Sequence, residues 1–231
     1  MLFEERNHSR MGAKVVRLAD FFASLGDDAL QIANCQIGLL QMLGERFERL
    51  REQLDIVTGL WTTPVGETFD YTGKHQSIAD SPALPKPVQR PHPPIIVGGG
   101  GPKRTPALAA AFAAEFNAPF MSLEDLTATY DRVRTAVDEA GRAPDSLTYS
   151  AAFVVCAGRD DAHVATRAAA IGREVDELRG NSPLVGTPNE IVDKLAPFTE
   201  AGVQRVYLQL LDMADLEHLE LFAAEVIPQL G

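Results

Sequence analysis

Apolar residues recur every three or four positions through LGERFERLREQLDIVTGLW: Leu43, Phe47, Leu50, Leu54, Val57 and Trp61. Glu45, Arg46, Glu48, Arg49, Arg51 and Glu52 fill the positions between them. One apolar stripe and one charged face predict an amphipathic helix over 43–61. Upstream, Val15, Leu18, Phe21, Phe22 and Leu25 predict a shorter helix, whereas residues 27–41 carry no strong period and yield no assignment. From 62 to 94 prolines accumulate (Pro64, Pro82, Pro85, Pro87, Pro91, Pro93 and Pro94), which excludes a long helix and predicts an extended surface excursion. Within it, ETFDYTGKHQSI predicts a hairpin turning at Thr72–Gly73.

After residue 94 the pattern becomes an alternation. Apolar strands are predicted at 94–99, 115–120, 147–158 and 205–211, and helices at 103–114, 123–141, 160–178, 188–202 and 214–230. Strands alternating with helices of this length make βα units on a parallel sheet, so the fold class is α/β. Thr187-Pro188-Asn189-Glu190 combines an N-cap, a proline at the first helical position and a glutamate at the third, the signature of a capping box. Gly141 and Gly202 stand where helix C-caps are expected. Four strands with their helices are half of a (β/α)8 barrel, which takes about 250 residues when complete.

The chemistry concentrates in PPIIVGGGGPKRT. The strand Ile95-Ile96-Val97 runs into Gly98, Gly99, Gly100 and Gly101, followed by Pro102, Lys103, Arg104 and Thr105 at a helix start. Glycines let the backbone turn sharply and let another group approach it. The helix N-terminus presents unpaired N–H groups and the positive end of its dipole. Together with two cations these make an anion site suited to a phosphate. The stretch is neither a Walker A loop nor a GxGxxG fingerprint.

These segments taken in order, LGERFERLREQLDIVTGLWT, DYTGKH, SPALPKPVQRPHPPIIVGGGGPKRT, AAEFN and VGTPNEIVDKLAPFTEAGVQRVYLQL, resemble the bacterial luciferase-like monooxygenase superfamily, and most closely its F420-dependent oxidoreductase branch. The resemblance implies a luciferase-like (β/α)8 TIM barrel, here incomplete, with residues 43–231 as its C-terminal part and 1–42 as an unmatched segment where the N-terminal strands are missing or replaced. It implies that Gly98, Gly99, Gly100, Gly101, Lys103, Arg104 and Thr105 cradle a cofactor phosphate, with Asn117 near the same pocket. The implied cofactor is coenzyme F420, with FMN as the alternative. The implied activity is hydride transfer between the deazaflavin and a small organic substrate. The alternatives are an FMN-dependent monooxygenase, or an inactive truncated barrel acting as a cofactor-binding or partner subunit. No catalytic residue is assigned, because the family's early strands are not matched in residues 1–42.

Composition narrows the partners. The chain has 231 residues, 45% of them hydrophobic, and a formal net charge of −11. That charge repels phosphate backbones and argues against nucleic acid. No apolar run approaches the roughly 18 residues of a membrane-spanning helix, and MLFEERNHSRMGAK has no signal-peptide core, so a cytoplasmic protein is expected. The two cysteines, Cys35 and Cys156, form no CxxC pair, and the five histidines are scattered; neither pattern suggests a metal site. Glu115 and Asp212 are read as polar loop or capping residues, and Cys156 as a buried apolar one. A half barrel leaves two strand edges unpaired, so a homo-oligomer is expected.

Overall fold

The computed structural model describes the backbone of residues 27–230 and the side chains of residues 44–230. The helix expected near 15–25 lies outside the described residues. The chain divides into two compact units after Lys86.

Among the described residues the first unit contains one long helix, α1 (Asp27–Thr62), and the hairpin β1 (Phe69–Thr72) and β2 (Ser77–Ser81). The helix reaches 16 residues further upstream than the apolar stripe predicts, since it begins at Asp27 and not at Leu43. Residues 27–42 include many good helix formers and no proline, and they continue the helix without an apolar period to announce it. The hairpin turn is held from outside. The Glu52 carboxylate accepts the backbone N–H groups of Lys74, His75 and Gln76 at 2.8–3.1 Å. Burial opposes its charge, but these three bonds together keep its pKa below the ordinary value. Beside it, Lys74 at 2.8 Å and His75 at 3.0 Å draw the Glu48 carboxyl down to about 2.

The second unit runs β3 (Ile96–Gly98), α2 (Arg104–Phe112), β4 (Glu115–Pro119), α3 (Leu123–Glu139), β5 (Thr148–Val154), β6 (Cys156–Ala157), α4 (Asp161–Ala170), α5 (Val175–Asn181), β7 (Val185–Gly186), α6 (Pro188–Glu200), β8 (Arg205–Gln209) and α7 (Leu216–Glu225). Strands β3, β4, β5 and β8 form one parallel sheet in that order, the expected α/β arrangement. Among the described residues the sheet stops at four strands and does not close into a barrel.

Side chains alternate across the sheet. One face, with Val97, Phe116, Ala118, Tyr149, Ala151 and Phe153, packs into the main core; Phe116, Ala118, Ala151 and Phe153 are fully buried. Phe153 meets Phe198 of α6 edge to face at 5.1 Å, and Phe116 meets Tyr130 of α3 at 6.2 Å. The Tyr130 hydroxyl donates to the Ser150 carbonyl at 2.8 Å, so its polar tip is satisfied inside the core. Arg142 donates to the carbonyls of Ala109, Ala110 and Ala113 at the C-terminus of α2, where carbonyls run out of helical donors; that of Ala109 also accepts the Ala113 N–H.

The capping box at Thr187 forms as expected, and Gly141 and Gly202 end their helices with φ of 69° and 100°. Two expectations are corrected. The helix expected over 160–178 breaks into α4 and α5 at Gly172, whose φ is 67°. The strand expected over 147–158 splits at Val155, and its end, β6, leaves the main sheet to pair with β7. Two residues, Val185 and Gly186, are too short a strand to give a period of two.

Phe153 is the test of this core. Phe153→Ala is expected to cost about 3–5 kcal/mol and to lower the unfolding midpoint by at least about 6 °C, read by thermal denaturation followed by circular dichroism.

Candidate functional site

The glycine stretch lies at the C-terminal end of β3, between that strand and α2. Gly98 still belongs to the strand and pairs with Asn117 of β4. The Gly99 N–H donates to the Asn117 carbonyl at 3.2 Å, which pins the start of the turn to the neighbouring strand. Gly99 then takes φ of +129°, a conformation that L side chains rarely adopt. A Cβ on Gly101 would sit 2.8 Å from the Thr105 hydroxyl oxygen, and one on Gly100 would sit 2.9 Å from Cε of Met121. The turn is therefore shaped for bare backbone.

α2 begins at Arg104 with Lys103 as N-cap. No side chain caps it, and its first turn carries no acidic residue. This differs from α3, α4 and α7, where Ser122, Asp160 and Asp215 each accept from the backbone N–H three residues on. The positive end of the α2 dipole thus faces the glycine turn with Lys103 and Arg104 exposed at its mouth. Thr105 is buried, and its hydroxyl faces the glycine backbone from the inside. It supports the shape of the turn. The residues present fit a phosphate-bearing group: a concave backbone, a helix N-terminus and two cations.

Asn117 belongs to a polar row on the uncovered face of the sheet. Gly98, Asn117, Ser150 and Arg205 are register partners across β3, β4, β5 and β8. Asn117 Nδ2 donates to Ser150 Oγ at 3.0 Å, and Ser150 Oγ donates to the Phe116 carbonyl at 3.3 Å. Glu115, one step earlier on the same face, forms an ion pair with Arg205. It is a buried strand residue, not the loop residue or cap that the sequence suggests. Asp212 does match that expectation: its carboxylate accepts the Ala214 N–H at 2.9 Å within a turn.

A second polar cluster escaped the sequence reading. Arg167 of α4 grips Asp215 through Nε at 2.6 Å and Nη2 at 3.2 Å, and donates to the Ala157 carbonyl at 2.7 Å. His218 Nε2 accepts the Ala157 N–H at 2.9 Å, so that nitrogen carries no proton. The residues are 48 and 61 positions from their partners, beyond any local spacing signal. The cavity beside them measures about 20 Å³, room for a water molecule and far too small for a cofactor ring. Cys156 lines it and is buried, as expected. Among the described residues no group of three or more His, Cys, Asp or Glu could hold a metal ion, and no helix is long and apolar enough to cross a membrane.

Residues 36–182 match the sequence model of the luciferase-like monooxygenase family. The chain belongs to that family. Over 219 residues it is 24% identical to an FMNH(2)-dependent dimethylsulfone monooxygenase of Pseudomonas putida, which takes in 80% of this chain and 58% of that protein. Over 61 residues it is 38% identical to an F420-dependent glucose-6-phosphate dehydrogenase of Microbacterium testaceum (strain StLB037), covering 26% of this chain and 17% of the relative. Its fold resembles an F420-dependent secondary alcohol dehydrogenase in complex with an F420-acetone adduct, with a TM-score of 0.65 at 17% identity over 77% of this chain and 60% of that one. It also resembles the coenzyme F420 dependent tetrahydromethanopterin reductase from Methanopyrus kandleri, with a TM-score of 0.63 at 19% identity over 80% of this chain and 64% of that one. This luciferase-like chain thus spans about three-fifths of the length of the dimethylsulfone monooxygenase and of the two solved structures, and its four parallel strands are part of the family's barrel.

Two outcomes follow from this geometry. Gly99→Ala is expected to destabilise the chain by about 1–2 kcal/mol through strain at positive φ, a fall of roughly 2–8 °C in the unfolding midpoint. His218 responds to pH. Burial first, and then the Arg167 cation, lower its pKa from the ordinary 6.5, against the pull of Asp215. Its neutral form is favoured by folding, so its contribution is full above 6.5 and is lost as pH falls through the depressed value. Urea unfolding at a series of pH values is expected to show this loss below 6.5, and His218→Gln to flatten it.

Proposed function

We propose that this chain binds the phosphate of a deazaflavin, coenzyme F420, at Gly98–Gly101 with Lys103 and Arg104, and that it derives from an oxidoreductase acting on a small organic substrate. The observation that carries the reading is the glycine turn opening onto an uncapped, cation-flanked helix N-terminus at the C-terminal end of a parallel strand. In α/β folds of this kind ligands bind at that end of the strands. When bound, F420 supplies hydride transfer. This chain's residues bind and orient: the backbone of the turn and the two cations take the phosphate, Thr105 keeps the turn in shape, and Asn117 holds Gly99 in place. No residue is assigned to proton transfer.

FMN is the second reading, with an FMN-dependent monooxygenase as the activity. It is favoured by the FMNH(2)-dependent relative, which matches 80% of this chain against 26% for the F420-dependent one. Either cofactor presents a phosphate to the same turn. A cofactor-binding or partner subunit without activity of its own is the third reading, favoured by the four-stranded extent of the sheet. In each reading the barrel-derived part includes residues 43–231, and the family match adds residues 36–42 to it. The net charge of −11 favours small-molecule partners over nucleic acid.

The test is thermal unfolding of the full chain with F420 or FMN in excess. A ligand at about 100 times its dissociation constant adds roughly 2.7 kcal/mol to the folded state, a rise of about 5–10 °C. The rise is expected with F420, and Lys103→Glu/Arg104→Glu is expected to abolish it. A rise with FMN alone selects the second reading. A cooperative transition that neither cofactor moves contradicts the first two readings and the cofactor-binding form of the third.

A further inference from the structure

Resting on the phosphate reading of the glycine turn and going beyond it, we infer that Phe120 is a binding residue for the flat heteroaromatic ring of the same ligand. Among the described residues three that are not glycine take positive φ: Asp80, Ala83 and Phe120. Phe120, at 53°, is the one in the second unit and the one with a bulky side chain. A bulky residue in this region of backbone space is a genuine outlier. Such outliers are costly to hold and cluster at ligand-binding sites.

The strand makes the outlier plain. Phe116 and Ala118 alternate onto the core face of β4 and are fully buried. The same alternation assigns Phe120 to that face, yet it is 53% exposed, because the chain turns at its positive φ. Surrounding groups fix that turn, and the phenyl ring is not among them. The Phe120 N–H donates to the Ala152 carbonyl of β5 at 2.9 Å, and Met121 packs against the main core. Ser122 then caps α3 by accepting the Asp125 N–H at 3.1 Å. Glycine takes such a backbone without strain. A lone exposed apolar side chain is ordinary on a protein surface; one held at an unfavourable φ where glycine fits is not.

The position of Phe120 indicates what its ring meets. Phe120 follows the C-terminal end of β4, beside the glycine turn that follows β3. The two loops touch: Cε of Met121, the next residue, lies 2.9 Å from where a Cβ on Gly100 would stand. A ligand whose phosphate rests on the turn thus has an exposed phenyl group one residue away from the side chain that lines its seat. A phenyl group suits a flat aromatic ring, offset or edge-on. Deazaflavin and flavin cofactors both carry such a ring on the same molecule as the phosphate.

Proton and phosphorus NMR of F420, and separately of FMN, titrated with the full chain, read ring and phosphate apart. The wild-type chain is expected to move both sets of resonances. With Phe120→Ala the phosphate is expected still to respond at saturation, while the ring protons lose their ring-current shift and Kd rises about tenfold. Phe120→Tyr is expected to restore both. A second readout needs no cofactor. Phe120→Gly and Phe120→Ala both lack the ring and differ in backbone freedom, so the glycine variant is expected to unfold about 2–4 °C above the alanine one, the reverse of their usual order. Ring protons and Kd indifferent to Phe120→Ala, with the phosphate still responding, overturn the inference and leave the phosphate reading standing. An alanine variant that unfolds above the glycine one overturns it as well. A phosphate that the wild-type chain does not perturb overturns the phosphate reading, and this inference with it.

Discussion

The register of four parallel strands fixes everything else in the second unit. Phe116, Ala118, Ala151 and Phe153 are fully buried because each falls on the same side of the sheet. A slip of one residue in any strand would turn its core set to the open face and its polar set into the core. Glu115, Asn117, Ser150 and Arg205 would then lie against Tyr130 and Phe198. The core therefore determines which residues stand on the open face and which loops stand at the C-terminal end. The position of the glycine turn follows from the burial of aromatic side chains it does not touch.

Where the core ends, polar bonding takes over. The Asn117 carbonyl ties down Gly99, and the Asn117 side chain is tied in turn to Ser150. Thr105 fills the space inside the turn that a side chain at 101 would need. Beyond the C-terminal end of β5, Arg167, Asp215 and His218 fasten α4 and α7 to Ala157. The two polar systems differ in kind. The second is closed, each member answered by another, and encloses a water-sized cavity. The first ends in an uncapped helix N-terminus whose first turn carries no acidic residue, with Lys103 and Arg104 exposed at its mouth. That asymmetry is the physical reason to place a ligand at the first and none at the second.

Much of this was legible in the sequence. Proline and glycine punctuation and runs of apolar residues are local signals, and they marked the βα alternation, the hairpin, the capping box and the glycine turn. What escaped depends on residues far apart in the chain. The Glu115–Arg205 and Asn117–Ser150 contacts join positions 90 and 33 residues apart, and only the sheet register creates them. β7 is two residues long and exists because β6 offers it an edge. The break between α4 and α5 was hidden by an apolar period that continues through Gly172, where the backbone does not. The upstream half of α1 has helix-forming composition without amphipathic order, and composition alone gives a weak signal.

The central claim is that the glycine turn grips a phosphate. The most direct measurement is the phosphorus NMR spectrum of F420, and separately of FMN, titrated with the full chain. The expected result is a shifted or broadened phosphate resonance on adding the chain, with Gly101→Val restoring the free spectrum. A cofactor whose ring protons respond while its phosphate resonance stays that of the free molecule would contradict the claim, because the chain would then be holding the cofactor somewhere other than this turn.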